Sequence, residues 1–127
     1  MFNKQLVEDL RATREVLISR GRCTGDLMKM DGKVCLDGAI GIATIDDYQH
    51  IITMYGSQTG YMSMHLNERC KAVVRSLHQC LPKDFVDTTG SSMVAHLFNF
   101  NDDPVTTDQD VLGLVDKALA QEGGLAD

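Results

Sequence analysis

The stretch MHLNERCKAVVRSLHQCL, residues 64–81, decides the fold class because its apolar residues recur at the spacing of an α-helix. Its two faces differ in composition. The apolar face carries Leu66, Cys70, Val73, Val74, Leu77 and Leu81, and the polar face carries Glu68, Lys71, Arg75 and Gln79. Pro82 follows directly and cannot continue a helix. The pattern predicts one long amphipathic helix that buries one face in a core.

Four further segments show the same helical periodicity, at 3–19, 45–55, 91–99 and 108–121. Asn3 is predicted to cap the first helix and Gly21 to end it. Thr107, three residues before Asp110, gives the last helix a start that resembles a capping box. The fold class predicted from these segments is mainly α, a small bundle of about five helices.

A different pattern lies between the first two helices. Two short apolar runs flank Asp31-Gly32, and such a pair is typical of a hairpin turn because the turn requires positive φ. We therefore predict one short β-hairpin over about 27–36. An isolated hairpin is not stable in water, so this one is expected to pack on the helices.

Length and composition set the domain organisation. With 127 residues, of which 43% are hydrophobic and 24% charged, a single domain over 1–127 is expected, with the residues after the last helix, about 123–127, disordered. No apolar run approaches the roughly 20 residues of a membrane span, and charges interrupt the N-terminal stretch. The four cysteines are expected to be reduced thiols. These features predict a cytoplasmic protein that does not enter a membrane.

The formal charge of −6 is concentrated in the last quarter of the chain. Residues 99–127 carry one base, Lys117, and seven acids: Asp102, Asp103, Asp108, Asp110, Asp116, Glu122 and Asp127. The formal charges of residues 1–98 therefore sum to zero. Phosphate recognition needs clustered bases, so this distribution disfavours nucleic acid as a partner. An acidic end is expected either to contact a basic protein surface or to be a solvated helix.

No residue pattern selects a reaction. The cysteines are 12, 35 and 10 positions apart, without the close pair typical of a zinc site, so no metal and no cofactor is predicted. A nucleophilic thiol at Cys23 or Cys35 has no unique base, since four histidines are available: His50, His65, His78 and His96. Methionines such as Met54, Met62 and Met64 are expected either to line an adaptable surface or to fill the core.

Two loops supply candidate binding residues. The loop after the first helix, Gly21-Arg22-Cys23-Thr24-Gly25-Asp26, can present backbone amides and a guanidinium to an anion. The segment Asn101-Asp102-Asp103-Pro104 is a candidate binding segment and is also typical of a turn, because Asn and Asp side chains bond nearby amides. The predicted binding residues are Arg22, Gly25, Asp37, Asn101 and Asp102.

Three stretches carry a resemblance to a known family: Gly21-Arg22-Cys23-Thr24-Gly25, Cys35-Leu36-Asp37-Gly38-Ala39-Ile40-Gly41, and Phe100-Asn101-Asp102-Asp103-Pro104 leading into Thr107 and Asp110-Val111-Leu112-Gly113-Leu114. In this order they resemble an uncharacterised family of small proteins of actinobacteria and phages, especially phages of mycobacteria. Arg22 and Phe100 stand where that family more often has tryptophan. The resemblance implies a phage or mobile-element origin and no assigned activity.

These observations favour a non-enzymatic binding protein of phage or mobile-element type that contacts a host or viral protein, for instance as an inhibitor or an anti-defence factor. Self-association into a homo-oligomer is left open. One alternative is a module that sequesters a small nucleotide-like ligand through Arg22 and Asn101-Asp102. A second is a small enzyme that uses Cys35 or Cys23. Convergence of Arg22, Asp37, Asn101 and Asp102 on one pocket would favour the ligand alternative.

Overall fold

The computed structural model describes residues 3–86 and 90–124, and within them the chain is mainly helical, as predicted. It forms α1 (Lys4–Arg20), α2 (Leu36–Thr44), α3 (Tyr48–Tyr55), α4 (Ser57–Leu66), α5 (Glu68–Gln79), α6 (Met93–Asp102) and α7 (Asp108–Gln121). One 3-10 turn, Lys83–Phe85, lies between α5 and α6. The described residues contain seven α-helices rather than about five, and no β-sheet.

The first and last helices follow their sequence signals. The side-chain oxygen of Asn3 accepts the Leu6 N–H at 3.0 Å, and Gly21 ends α1 with φ +86°. At α7 the capping box forms in both directions between Thr107 and Asp110. Both caps were predicted because they depend on residues within one turn of the helix end.

The single helix predicted over 64–81 is wrong, because the chain divides it at Asn67 into α4 and α5. Asn67 has extended backbone, and its side-chain oxygen accepts the Cys70 N–H at 2.8 Å. The first backbone N–H groups of a helix have no partner within the helix, and a capping asparagine side chain accepts one of them. In a continuous helix the Cys70 N–H would already be bonded to the backbone. The buried face predicted for this stretch survives only in α5, and Leu66 at the end of α4 is 77% exposed.

Neither α2 nor α4 was predicted as a separate helix, and the ends of α3 and α6 differ from those predicted. α2 is buried around nearly its whole circumference, so it has no polar face to create a periodic pattern. α4 begins directly after Gly56, which separates it from α3. α3 begins later than predicted because Asp47, just before it, adopts the left-handed conformation with φ +58°.

The predicted β-hairpin over 27–36 is not confirmed, because the described residues form no sheet there. Its turn is present, with φ +93° at Gly32. The two arms meet in one isolated antiparallel bridge, Met28 to Val34, with a Lys29 N–H to Lys33 carbonyl bond at 2.8 Å on one side and a Cys35 N–H to Leu27 carbonyl bond at 3.2 Å on the other. Val34 also donates its N–H to the Gly21 carbonyl at 3.0 Å and accepts the Cys23 N–H at 2.8 Å. The second arm is short because α2 begins at Leu36.

Side chains from every α-helix build one apolar core. The largest of those that are fully buried are Tyr48, Leu10, Leu27, Leu36, Ile40, Met64, Leu77, Leu97 and Leu119. The end of the chain also joins it: Gly124 is buried and donates its N–H to the Leu119 carbonyl at 2.7 Å. The structure thus describes Gly123 and Gly124, whereas residues 125–127 lie outside the described range.

No helix in the described ranges has both the length and the apolar character needed to cross a bilayer. The four cysteines are free thiols. As predicted, Cys70 is buried and Cys80 is partly exposed. The thiols therefore place no covalent constraint on the packing of the helices.

Two helical glycines provide a matched test of this packing. A Cβ added to Gly38 would overlap the Leu27 carbonyl oxygen, whereas one added to Gly113 meets nothing within 4 Å. We expect Gly38→Ala to lower the free energy of unfolding by about 2 kcal/mol through overpacking. Gly113→Ala should raise it by about 1 kcal/mol through helix propensity alone. Urea denaturation measures both, and equal effects would contradict the close approach at α2.

Candidate functional site

Four of the five predicted binding residues meet in one hydrogen-bond network. It joins the loop after α1 to the end of α6 and contains Arg22, Gly25, Asn101 and Asp102. These residues are about 80 positions apart in the sequence, yet they are linked to one another directly. We call these four residues the clasp.

The amide side chain of Asn101 forms the centre of the clasp and is fully buried. Its Nδ2 donates to the Cys23 carbonyl at 3.0 Å and to Asp102 Oδ1 at 2.9 Å. Its Oδ1 accepts the Leu36 N–H at 3.1 Å. The other oxygen of Asp102 accepts the Gly25 N–H at 2.9 Å. One helix end thus holds both the loop after α1 and the first turn of α2.

Arg22 forms the outer part of the clasp, with only 13% of its side chain exposed. Nε donates to Asp108 Oδ1 at 2.7 Å, Nη1 to the Asn101 carbonyl at 2.6 Å and Nη2 to the Thr106 carbonyl at 3.0 Å. All three guanidinium nitrogens therefore bind protein oxygens. Their effect is to fix the turn between α6 and α7 against the loop after α1.

The acidic residues of the last quarter are largely used inside the chain. The carboxylates of Asp102 and Asp103 accept backbone amides, Asp110 completes the α7 cap, and Asp108 pairs with Arg22. Further acceptors are Asp116, paired with Arg14 at 2.7 Å, and Glu122, bonded to the Ser76 hydroxyl at 3.1 Å. Asp127 lies outside the described residues. The charge concentration seen in the sequence thus marks caps and interhelical contacts.

Asp37, the fifth predicted residue, lies in the first turn of α2 and makes no contact of this kind. Its side chain is fully buried, and neither carboxyl oxygen has a hydrogen-bond partner. Burial, with the charge of Asp102 as a second cause, raises the pKa of Asp37 well above its ordinary value. The carboxyl is therefore held in its neutral form at pH values where an exposed aspartate is ionised.

The thiols nearest the clasp are protected from reaction. Cys23 and Cys35 are both buried, and burial is the main cause of the raised pKa of each. Cys35 also caps α2, since its Sγ accepts the Gly38 N–H at 3.3 Å. A thiolate is the nucleophilic form of cysteine, so these surroundings disfavour nucleophilic chemistry at either residue.

A histidine pair that the sequence analysis did not predict joins α5 to α6. His78 Nε2 and His96 Nδ1 are 2.8 Å apart, and the two rings are stacked. Burial and the neighbouring ring lower the pKa of His78. Eighteen residues separate the pair, and only the packing of two helices brings them together. In the described residues no three potential metal ligands come together at a common point.

The α3–α4 hairpin, residues 48–67, contains no Asp, Glu, Lys or Arg. Four of its large apolar side chains are exposed: Met54 (61%), Tyr55 (67%), Met62 (63%) and Leu66 (77%). Met64, on the same helix as Met62, is buried in the core instead. Met64 thus fills the core as one expectation had it, and a binding role of the exposed methionines stays a prediction.

A model of a family of unknown function (DUF6197) matches residues 1–121. The chain belongs to DUF6197. The expectation of a family without an assigned activity is confirmed, and its actinobacterial or phage origin stays a prediction. No curated protein and no solved structure matches the chain. The role of the clasp in this member of DUF6197 must therefore be inferred from its geometry.

The buried carboxyl of Asp37 predicts a specific pH dependence. The folded chain retains this proton above pH 3.8, where unfolded chains lose it, so the free energy of unfolding falls as pH rises. We expect Asp37→Asn to remove this fall. Its stability advantage over the wild type should grow by about 1.4 kcal/mol per pH unit until the folded pKa is reached. Denaturation of both proteins at pH 4 to 7 measures it, and parallel profiles would show that Asp37 titrates normally.

A second test addresses the clasp itself. Asn101→Ala leaves the buried Leu36 N–H and Cys23 carbonyl without partners, and we expect a loss of about 3 kcal/mol in the free energy of unfolding. Asn99→Ala is the matched control, on the same helix at an exposed position, and should change stability by less than about 0.5 kcal/mol. Similar losses in the two variants would show that the clasp does not stabilise the fold.

Proposed function

We propose that this chain is a non-enzymatic binding protein of phage or mobile-element type that acts in the cytoplasm by contact with a host or viral protein. The observation that supports this proposal is the α3–α4 hairpin. Twenty consecutive residues without a formal charge expose four large apolar side chains in a chain that is 24% charged overall.

The composition of the hairpin is that of a contact surface. The cores of protein interfaces are depleted in Lys, Glu and Asp and enriched in Tyr and Met. Methionine side chains adapt to different partner surfaces because they are unbranched and flexible. Large exposed apolar patches on a protein surface often mark sites of contact with another protein. The hairpin therefore supports binding to a protein through apolar contact.

The acidic last quarter supports this proposal less than the sequence suggested. Its described carboxylates accept hydrogen bonds within the chain, so they are only partly available to a basic partner. The contact surface proposed here accordingly lies on the uncharged hairpin and not on α7.

The ligand alternative draws on the convergence of the clasp. Arg22 and Asp108 line a shallow pocket of about 250 Å³, beside Ile18 and Leu112. However, the guanidinium nitrogens already bind protein oxygens, and the nearby carboxylate of Asp108 disfavours an anionic ligand. Sequestration of a nucleotide-like molecule stays a prediction with weaker support. The cysteine-enzyme alternative has weaker support still, because both thiols are buried.

The test compares two faces of the chain. The double variant Met62→Glu/Leu66→Glu places charge on the hairpin, and Ile18→Glu places the same charge on α1, where Ile18 is also exposed. All three positions are exposed, so we expect changes in unfolding free energy below about 1 kcal/mol. Affinity capture from a bacterial lysate should give a stoichiometric partner with the wild type and with Ile18→Glu. The hairpin variant should lose it.

Two results would contradict the proposal. One is a wild-type protein that captures no stoichiometric partner. The other is a partner that the hairpin variant retains as well as the control. Light scattering on the purified wild type and hairpin variant distinguishes a further case, in which the hairpin contacts a second copy of the chain and only the variant is monomeric.

A further inference from the structure

A groove lies along α7, and no residue of the α3–α4 hairpin lines it. It has a volume of about 420 Å³ and runs between α7 and the turn that follows α5. Its walls are mainly apolar and include Phe85, Phe100, Val105 and Leu114. A volume of this size accommodates a small organic molecule.

Gly113 marks the part of α7 that borders this groove. A glycine within a helix is less favourable than alanine by about 1 kcal/mol, so its presence calls for a reason. Packing inside the chain is not that reason, because a Cβ at this position meets nothing within 4 Å. Absence of a side chain lets another group approach the helix backbone closely, and the open space beside Gly113 belongs to the groove.

Contacts with other parts of the chain hold the aromatic wall of the groove in place. The rings of Phe85 and Phe100 lie edge to face, with centroids 5.3 Å apart, and Phe100 is anchored in the core. Val105, which also lines the groove, is 81% exposed. An apolar group seated in the groove would remove this exposed surface from water.

One charge at the rim is not neutralised. Lys117 lies one helical turn beyond Gly113 and lines the groove, and among the described residues it makes no ion pair. Lys117 acts to lower the pKa of the Cys80 thiol, another lining residue, whereas burial and Glu122 raise it. The lining also contains one acid, Asp110, whose carboxylate accepts the Thr107 N–H in the helix cap seven positions before Lys117. Lys117 is therefore the basic residue of this lining, two helical turns away from its acid.

We propose that this groove binds a small amphiphilic anion, with an apolar body over Gly113 between Phe85 and Val105 and a carboxylate near Lys117. Apolar burial supplies the affinity, and the lysine selects the charge. This site is distinct from the protein-binding surface proposed above, and neither depends on the other.

Calorimetric titration of the full chain with octanoate and with octanamide tests the proposal. The two probes share one apolar body and differ in charge. We expect the wild type to bind octanoate several-fold more tightly than octanamide. Lys117→Gln should abolish the preference for octanoate, since it removes the positive charge and leaves that of Asp110. Met62→Glu/Leu66→Glu, on the other surface, should leave both affinities unchanged.

Two further variants locate the site. Gly113→Leu places a side chain in the groove and should weaken octanoate binding at least tenfold without lowering the melting temperature. Val105→Glu places a like charge in the wall and should weaken octanoate more than octanamide. The proposal is overturned if octanoate does not bind to the wild type or binds equally to all variants. It is also overturned if Gly113→Leu lowers the melting temperature, because the chain itself would then occupy the groove.

Discussion

The side-chain amide of Asn101 is the interaction on which the arrangement of this chain depends. It satisfies two backbone groups that burial would otherwise leave without partners, one before the first turn of α2 and one in the loop after α1. A buried polar group without a partner costs more than an ordinary hydrogen bond contributes, so this amide constrains both segments. The position of α6 thereby fixes the loop that carries Arg22 and Gly25.

The parts of the fold that sequence predicts well are those with local causes. The caps at Asn3 and Thr107 depend on residues within one turn, and both form as expected. The predicted hairpin keeps its local turn at Gly32, but its arms form only one isolated bridge, because α2 begins at Leu36 and ends the second arm. Asn67 is itself a local capping signal, but the strong apolar periodicity of residues 64–81 favoured the prediction of one continuous helix.

The candidate site also combines residues that the sequence predicts with contacts that it does not predict. Arg22, Gly25, Asn101 and Asp102 were identified from residue type and turn chemistry, and the structure brings them together. The sequence does not predict which hydrogen bonds these residues form, because those bonds depend on the docking of α6. The isolation of Asp37, the stacked histidines and the groove beside Gly113 likewise exist only after the helices have packed.

The sequence separations within the clasp have a consequence for folding kinetics. Apart from the bond between the neighbours Asn101 and Asp102, its hydrogen bonds join residues 65 to 86 positions apart. Each of these closes a long chain loop whose entropy must be lost first. The helices α1 and α7 have caps of their own and can begin to form from nearby residues. The clasp is thus expected to assemble late, after the core has collapsed. Its amide hydrogens then report on partial opening of the native state, and hydrogen exchange there is expected to be faster than in the core of α5.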